Sequence, residues 1–143
     1  MSVPSKPIDT DALLAIADDL VAQARKLGAE HAEAAVIQLR STEVAVRDGA
    51  LEAVEGSESR DAGLRVFVGK RQAGVSFSDL SSAGMGQAVE RAIAMAKAAP
   101  EDPWCGLVDP DRLARELPEI TLYEQPGWNS EDLADIAREV ETA

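Results

Sequence analysis

The sequence predicts an α+β domain: a largely antiparallel four-stranded sheet, folded as two hairpins, with helices packed on one face and a connector and third helix behind it. Three observations lead there. Apolar residues recur at helical spacing before residue 28, alternate singly between residues 35 and 77, and return to helical spacing after residue 80.

Residues 1–8, with prolines at 4 and 7, read as an extended lead-in. Asp9 and Thr10 both suit a helix N-cap, and Leu13, Ile16, Ala17, Leu20, Ala24 and Leu27 form one apolar stripe behind them. Gly28 stands where a left-handed residue ends a helix, which bounds this helix at 10–27.

Ala35, Ile37 and Leu39 then alternate with polar neighbours, as do Val44 and Val46, but the first set is odd-numbered and the second even-numbered. A bulge near Arg40–Glu43, or a change of neighbours along the strand, is expected to absorb that slip. Asp48-Gly49 supplies a type I′ turn into a polar second strand over 50–58, and Arg60–Gly63 is expected to turn the chain into a third. Gly69-Lys70 offers a two-residue loop with glycine first, as type II′ prefers. That loop sets Val68 against Arg71, Val66 against Ala73 and Leu64 against Val75, so both strands turn their apolar sets to one face.

Asp79, Ser81 or Ser82 is suited to cap the next helix, whose stripe is Met85, Val89, Ala92, Ile93 and Ala96 and which Pro100 ends. Gly84 and Gly86 either weaken its first turn by ~1 kcal/mol each relative to alanine or allow a close approach to the sheet. Prolines 103, 110, 118 and 126 mark a connector with one short helix-like run over Asp109–Leu117. Asn129-Ser130 caps a third helix in which Leu133, Ile136, Ala137 and Val140 align, with no glycine or proline to stop it, so the chain reads as part of something longer. The expected organisation is an α+β domain over 1–100, an acidic connector over 101–128 and the start of a further helix over 129–143.

The chain of 143 residues carries a net charge of -12, and residues 101–143 hold 12 of its 26 acids but only 3 of its 14 bases. Such a surface repels nucleic acid and anionic membranes. With 45% hydrophobic but only 3% aromatic residues, the core is expected to be thin and built from Ala, Val, Leu and Ile. Cys105 is the sole cysteine, no signal peptide opens the chain and no run is long enough to span a membrane; a cytoplasmic location is expected.

No catalytic constellation emerges. Gly69-Lys70 fails as a phosphate loop, because Arg71 and a strand follow where a Walker A site needs Ser or Thr and a helix. His31 is the single histidine and supplies no metal-ligand spacing, and it reads as a dipole partner or solvent group after the first helix. Cys105, beside Trp104, reads as a small packed hydrophobe, and no nucleophile elbow singles out a serine. Arg60, Arg65, Lys70 and Arg71 concentrate cations, and Arg65 and Phe67 share the sheet face away from Leu64, Val66 and Val68. That face is either simply solvated or, because Phe67 would otherwise be exposed, an interdomain or subunit interface. Two classes remain: a noncatalytic module of a larger enzyme, or a peptide-binding or scaffold protein.

Three phrases carry a resemblance: "VRDGALEAVEGSESRDAGLRVFVGKRQAG" at 46–74, "DLSSAGMGQAVERAIAMAKAAPEDPWCGL" at 79–107 and "LPEITLYEQPGWNSEDLADIAREVETA" at 117–143. In order and spacing the chain resembles the N-terminal domain of the TldD/PmbA family, more closely its PmbA (TldE) branch. The resemblance implies a subunit about three times this length, paired with a TldD-like partner in a cytoplasmic zinc metalloprotease acting on unfolded peptides. The family's zinc motif, His-Glu, three residues, then His, lies in the C-terminal part of the TldD-like partner, and no stretch here matches it, since His31 is followed by Ala32. No catalytic, cofactor or metal residue carries over to this chain, and zinc is expected in the partner subunit.

Overall fold

The computed structural model describes residues 8–116, 118–122 and 127–143, so most of the expected lead-in and the end of the 109–117 run lie outside the described residues. Three α-helices and three strands follow in the order α1 (Thr10–Lys26), β1 (His31–Arg47), β2 (Ala50–Val68), β3 (Arg71–Phe77), α2 (Ser82–Ala98) and α3 (Ser130–Thr142). The strands form one antiparallel sheet in the order β1-β2-β3. Of the expected 109–117 run, only Pro110–Arg112 is helical, as a single 3-10 turn capped by Asp109.

The four-stranded expectation is corrected to three, because β2 runs unbroken through Arg60–Gly63. Gly63 pairs with Ser76 and Ala62 with Phe77, and Gly63 keeps an ordinary backbone angle, so nothing there turns the chain. The run that reads as a turn is supported from β1 instead: Gln38 Oε1 accepts from Arg60 Nε at 3.2 Å. The other two turn expectations hold. Asp48 and Gly49 take φ of 50° and 73°, as type I′ requires at both positions, whereas in the Gly69-Lys70 turn only Gly69 is left-handed, at 59°. The β2–β3 register pairs Val68 with Arg71, Val66 with Ala73 and Leu64 with Val75, as the sequence predicts.

The chain forms two compact units, and β1 and β2 contribute to both. The larger comprises Ile8–Gln38 and Ser59–Leu113. Its core joins Leu20 and Ala24 of α1, Ala32 of β1, Ala62, Leu64 and Val66 of β2, and Met85, Val89, Ala92, Ile93 and Ala96 of α2. All five predicted α2 positions are therefore buried, and both helices lie on one face of the sheet. Asp9 caps α1 through the Ala12 amide at 3.0 Å, and Gly28 ends it at φ 104°. Ser81 caps α2 through the Gly84 amide at 3.1 Å. Ahead of that cap, hydrogen bonds from the Ser81 side chain and then its amide hold the Asp79 carboxyl below the usual carboxylate range.

Strand β1 corrects a second expectation. Its even positions form the covered side: Ala32, Ala34 and Val36 join the core with the helices, and Val44 and Val46 are half-buried further along. Ala35, Ile37 and Leu39 lie exposed on the other face, so no bulge is needed to reset the register. The two parities are about equally apolar in sequence, and the small side chains of Ala32 and Ala34 suit the close packing beneath α1.

The smaller unit contains Leu39–Glu58 and the described part of Ala114–Ala143. Its helix α3 opens with a capping box, in which Asn129 Oδ1 accepts from the amides of Glu131 and Asp132 while Asp132 Oδ2 accepts from the Asn129 amide at 2.8 Å. Ala134 is buried and Leu133, Ala137 and Arg138 are half-buried, while Ile136 and Val140 of the aligned stripe are 42% and 72% exposed. The polar end of the helix is fastened by hydrogen bonds. Glu141 accepts from the amides of Asp48 and Gly49 at 2.7 and 2.8 Å, and Arg138 Nε donates to the Gly49 carbonyl at 3.2 Å.

Candidate functional site

Within the larger unit, the sheet face turned away from α1 and α2 is built from residues whose parity the strand pairing fixes. Arg65 stands opposite Gly74 and Gly63 opposite Ser76, with Glu33 and Ala35 of β1 on the same side. Because three of these positions carry glycine or alanine, a shallow open depression of about 490 Å³ lies over them, bounded by Glu33 and Arg65. Arg65 Nε donates to Glu33 Oε2 at 2.6 Å and the guanidinium also forms an ion pair with that carboxylate. Both side chains are about half-exposed, so the pair contributes little stability, on the order of 1 kcal/mol or less.

The structure overturns the premise that Phe67 is exposed. Phe67 is 2% exposed, and the Arg65 guanidinium carbon lies 5.2 Å from its ring centroid, a cation–π distance. The sheet end near Phe67 is closed by contacts that connect distant parts of the chain. The Glu30 amide donates to the Phe67 carbonyl at 2.9 Å, and Glu30 Oε1 accepts from the Gly69 amide at 3.1 Å. After α2 the chain returns to the β2–β3 turn, where the Asp102 amide donates to the Lys70 carbonyl at 2.8 Å and Lys70 Nζ to the Cys105 carbonyl at 3.3 Å. Arg71 joins in through Glu101 at 3.2 Å and the Lys97 carbonyl at 3.3 Å. The cations at this hairpin tip thus pin the segment that follows α2. Cys105 is free and 5% exposed, in keeping with a packed hydrophobe.

The sequence reading therefore missed the apolar residues that are exposed on this face, and named one that is not. Ile37 is 62% exposed, and only its position opposite to Val36 in the strand alternation marks it in the sequence. His31 lies exposed at the start of β1. Among the described residues no three His, Cys, Asp or Glu side chains converge as metal ligands, and none of the helices is long and apolar enough to cross a membrane.

Residues 32–96 match the family described as PmbA/TldA metallopeptidase domain 1. The chain is 33% identical over 120 residues to a protein of Haemophilus influenzae named Metalloprotease PmbA homolog, an alignment covering 84% of this chain and 26% of that one. It is 27% identical over 114 residues to Metalloprotease PmbA of Escherichia coli O157:H7, covering 80% and 25%. Among solved structures, a proposed modulator of DNA gyrase from Bacteroides thetaiotaomicron superposes with a TM-score of 0.82 at 21% identity, over 95% of this chain and 32% of that one. TldE from Thermococcus kodakarensis superposes with a TM-score of 0.63 at 22% identity, over 89% and 30%. At those identities the structural likeness speaks to the fold alone, and the chain spans about a quarter of the curated relatives' length. The α+β fold and the matched segment define a metallopeptidase-family domain. The chain belongs to the TldD/PmbA family, as an N-terminal domain.

Proposed function

We propose that this chain is the N-terminal, noncatalytic module of a PmbA/TldE-like subunit, working in the cytoplasm with a TldD-like partner to process unfolded peptides. The observation that carries this reading is the 33% identity, over most of the chain, to a relative named as a metalloprotease PmbA homolog. The described residues offer no set of three metal donors, so no step of peptide hydrolysis is assigned to them. The zinc of the complex belongs, in this reading, to the TldD-like partner. The work of this module is to shape the complex: to help enclose the protease chamber, contact the partner subunit or limit entry of substrate.

The test uses the whole polypeptide that carries this chain, mixed with a TldD-like subunit and an unfolded casein substrate. The expected result is cleavage that needs both subunits and stops when a chelator is added. A version lacking residues 1–100 should lose assembly or cleavage. If that version assembles and cleaves as well as the intact protein, this assignment of the module is wrong.

A further inference from the structure

Strand β1 is an edge of the sheet: it pairs with β2 on one side and, among the described residues, with no strand on the other. Edge strands are normally guarded by lysines, prolines, bulges or short length, because a row of unpaired amides and carbonyls recruits any extended chain. The segment His31–Ile37, HAEAAVI, contains no Lys, Pro or Gly and belongs to a strand of 17 residues, and its one carboxylate, Glu33, is paired with Arg65. The opposite edge differs. Strand β3 is only 7 residues long, begins at Arg71 directly after Lys70 of the turn, and has Gly74 at its middle.

Both faces beside the β1 edge offer room for side chains. On the helix side, a cleft of about 310 Å³ runs between α1 and β1, lined by Thr10, Leu13, Leu14 and Ala17 against Ala34 and Val36, with Leu14 60% exposed. On the other side lie exposed Ala35 and Ile37 and the start of the depression over Gly63. A strand added to β1 alternates its side chains between these two surfaces. Main-chain bonds would then supply affinity, and the two apolar surfaces would select every second residue. Asp11 and Asp18, exposed on α1, favour a cationic ligand.

We propose that the β1 edge over His31–Ile37 binds an extended peptide as an added strand, with apolar residues at alternate positions and positive charge at its ends. The ligand class, an unfolded peptide, rests on the function proposed above; the site is this chain's own and needs no partner subunit.

The probe is a fluorescein-labelled peptide alternating valine and threonine between terminal lysines, added to the 143-residue chain and followed by fluorescence anisotropy. Two N-methylated versions, carrying methyls on alternate amides in the two possible phases, keep its charge and side chains. Only one edge of a bound strand pairs with the protein, so one version should bind about tenfold more weakly or worse while the other binds like the parent. Ile37→Lys places a natural edge guard at an exposed position without touching the core, and should also weaken binding about tenfold. Equal binding of both N-methylated peptides, or undiminished binding to Ile37→Lys, would overturn the proposal. So would failure of the parent peptide to bind, including failure because sedimentation shows the edge occupied by a second copy of the chain. Failure here with partner-dependent cleavage intact rejects the edge site alone; peptide binding without any cleavage rejects the protease reading alone.

Discussion

The two compact units of this protein are held by different physics. In the larger, a continuous apolar cluster joins α1, α2 and the sheet, with Leu20, Ala24, Val66, Val89, Ala92 and Ala96 fully buried. In the smaller, Ala134 is the one buried residue among those described, Leu133 and Ala137 are half-buried, and hydrogen bonds tie the end of α3 to the β1–β2 turn. Burying a leucine contributes about 1.5–3 kcal/mol, whereas an exposed hydrogen bond nets about 0.5–1.5 kcal/mol. Stability should therefore be concentrated in the first unit, and the second should open first.

The largest expected effect tests the core. Leu20 is fully buried on the α1 face, so Leu20→Ala should cost about 2–5 kcal/mol, read as a lower urea midpoint for the whole chain. A loss below about 1 kcal/mol would mean the cluster does not hold the unit together. A subtler pair lies in the first turn of α2, where sequence alone makes two glycines look equivalent. A Cβ at Gly84 would collide with the Asp79 side chain and carbonyl, while one at Gly86 would meet nothing. Gly86→Ala should stabilise by up to about 1 kcal/mol, and Gly84→Ala should destabilise by about 1–3 kcal/mol. Thermal melts that move in the same direction for both would refute the close approach of Asp79.

That pair marks what was legible in the sequence. The β2–β3 register could be read because Gly69 fixes the turn while two strands alternate in phase with it. The α2 stripe could be read because helical spacing and burial coincide. The facing of β1 could not: Ala32, Ala34 and Val36 are as plausible a buried set as Ala35, Ile37 and Leu39, and only packing against α1 decides between them. The burial of Phe67 was hidden for a similar reason, since its sheet end is closed by residues 30 and 102–105, far away in sequence. Local patterns report local structure, and both errors arose where distant segments meet. They are also the errors that matter for the candidate site, because together they move the exposed apolar surface from Phe67 to Ile37.

The smallest expected effect concerns the polar seat of α3, where the comparison between the units is sharpest. A type I′ turn leaves the amides of Asp48 and Gly49 to the Glu141 carboxylate, one oxygen accepting from each. Glu141→Gln keeps the length of the side chain but replaces one accepting oxygen with a donor, so one of the two bonds is lost and the other loses its charge assistance. Because the site is exposed, the change should amount to about 0.5–1.5 kcal/mol. Hydrogen exchange at the Asp48 and Gly49 amides should speed up by about two- to tenfold, with no change at buried core amides such as that of Val66. Moderate salt should reproduce part of the effect in the unaltered protein by screening the carboxylate. Faster exchange at Val66 in Glu141→Gln would show that the polar seat also supports the apolar core, and the two units would then be one cooperative structure.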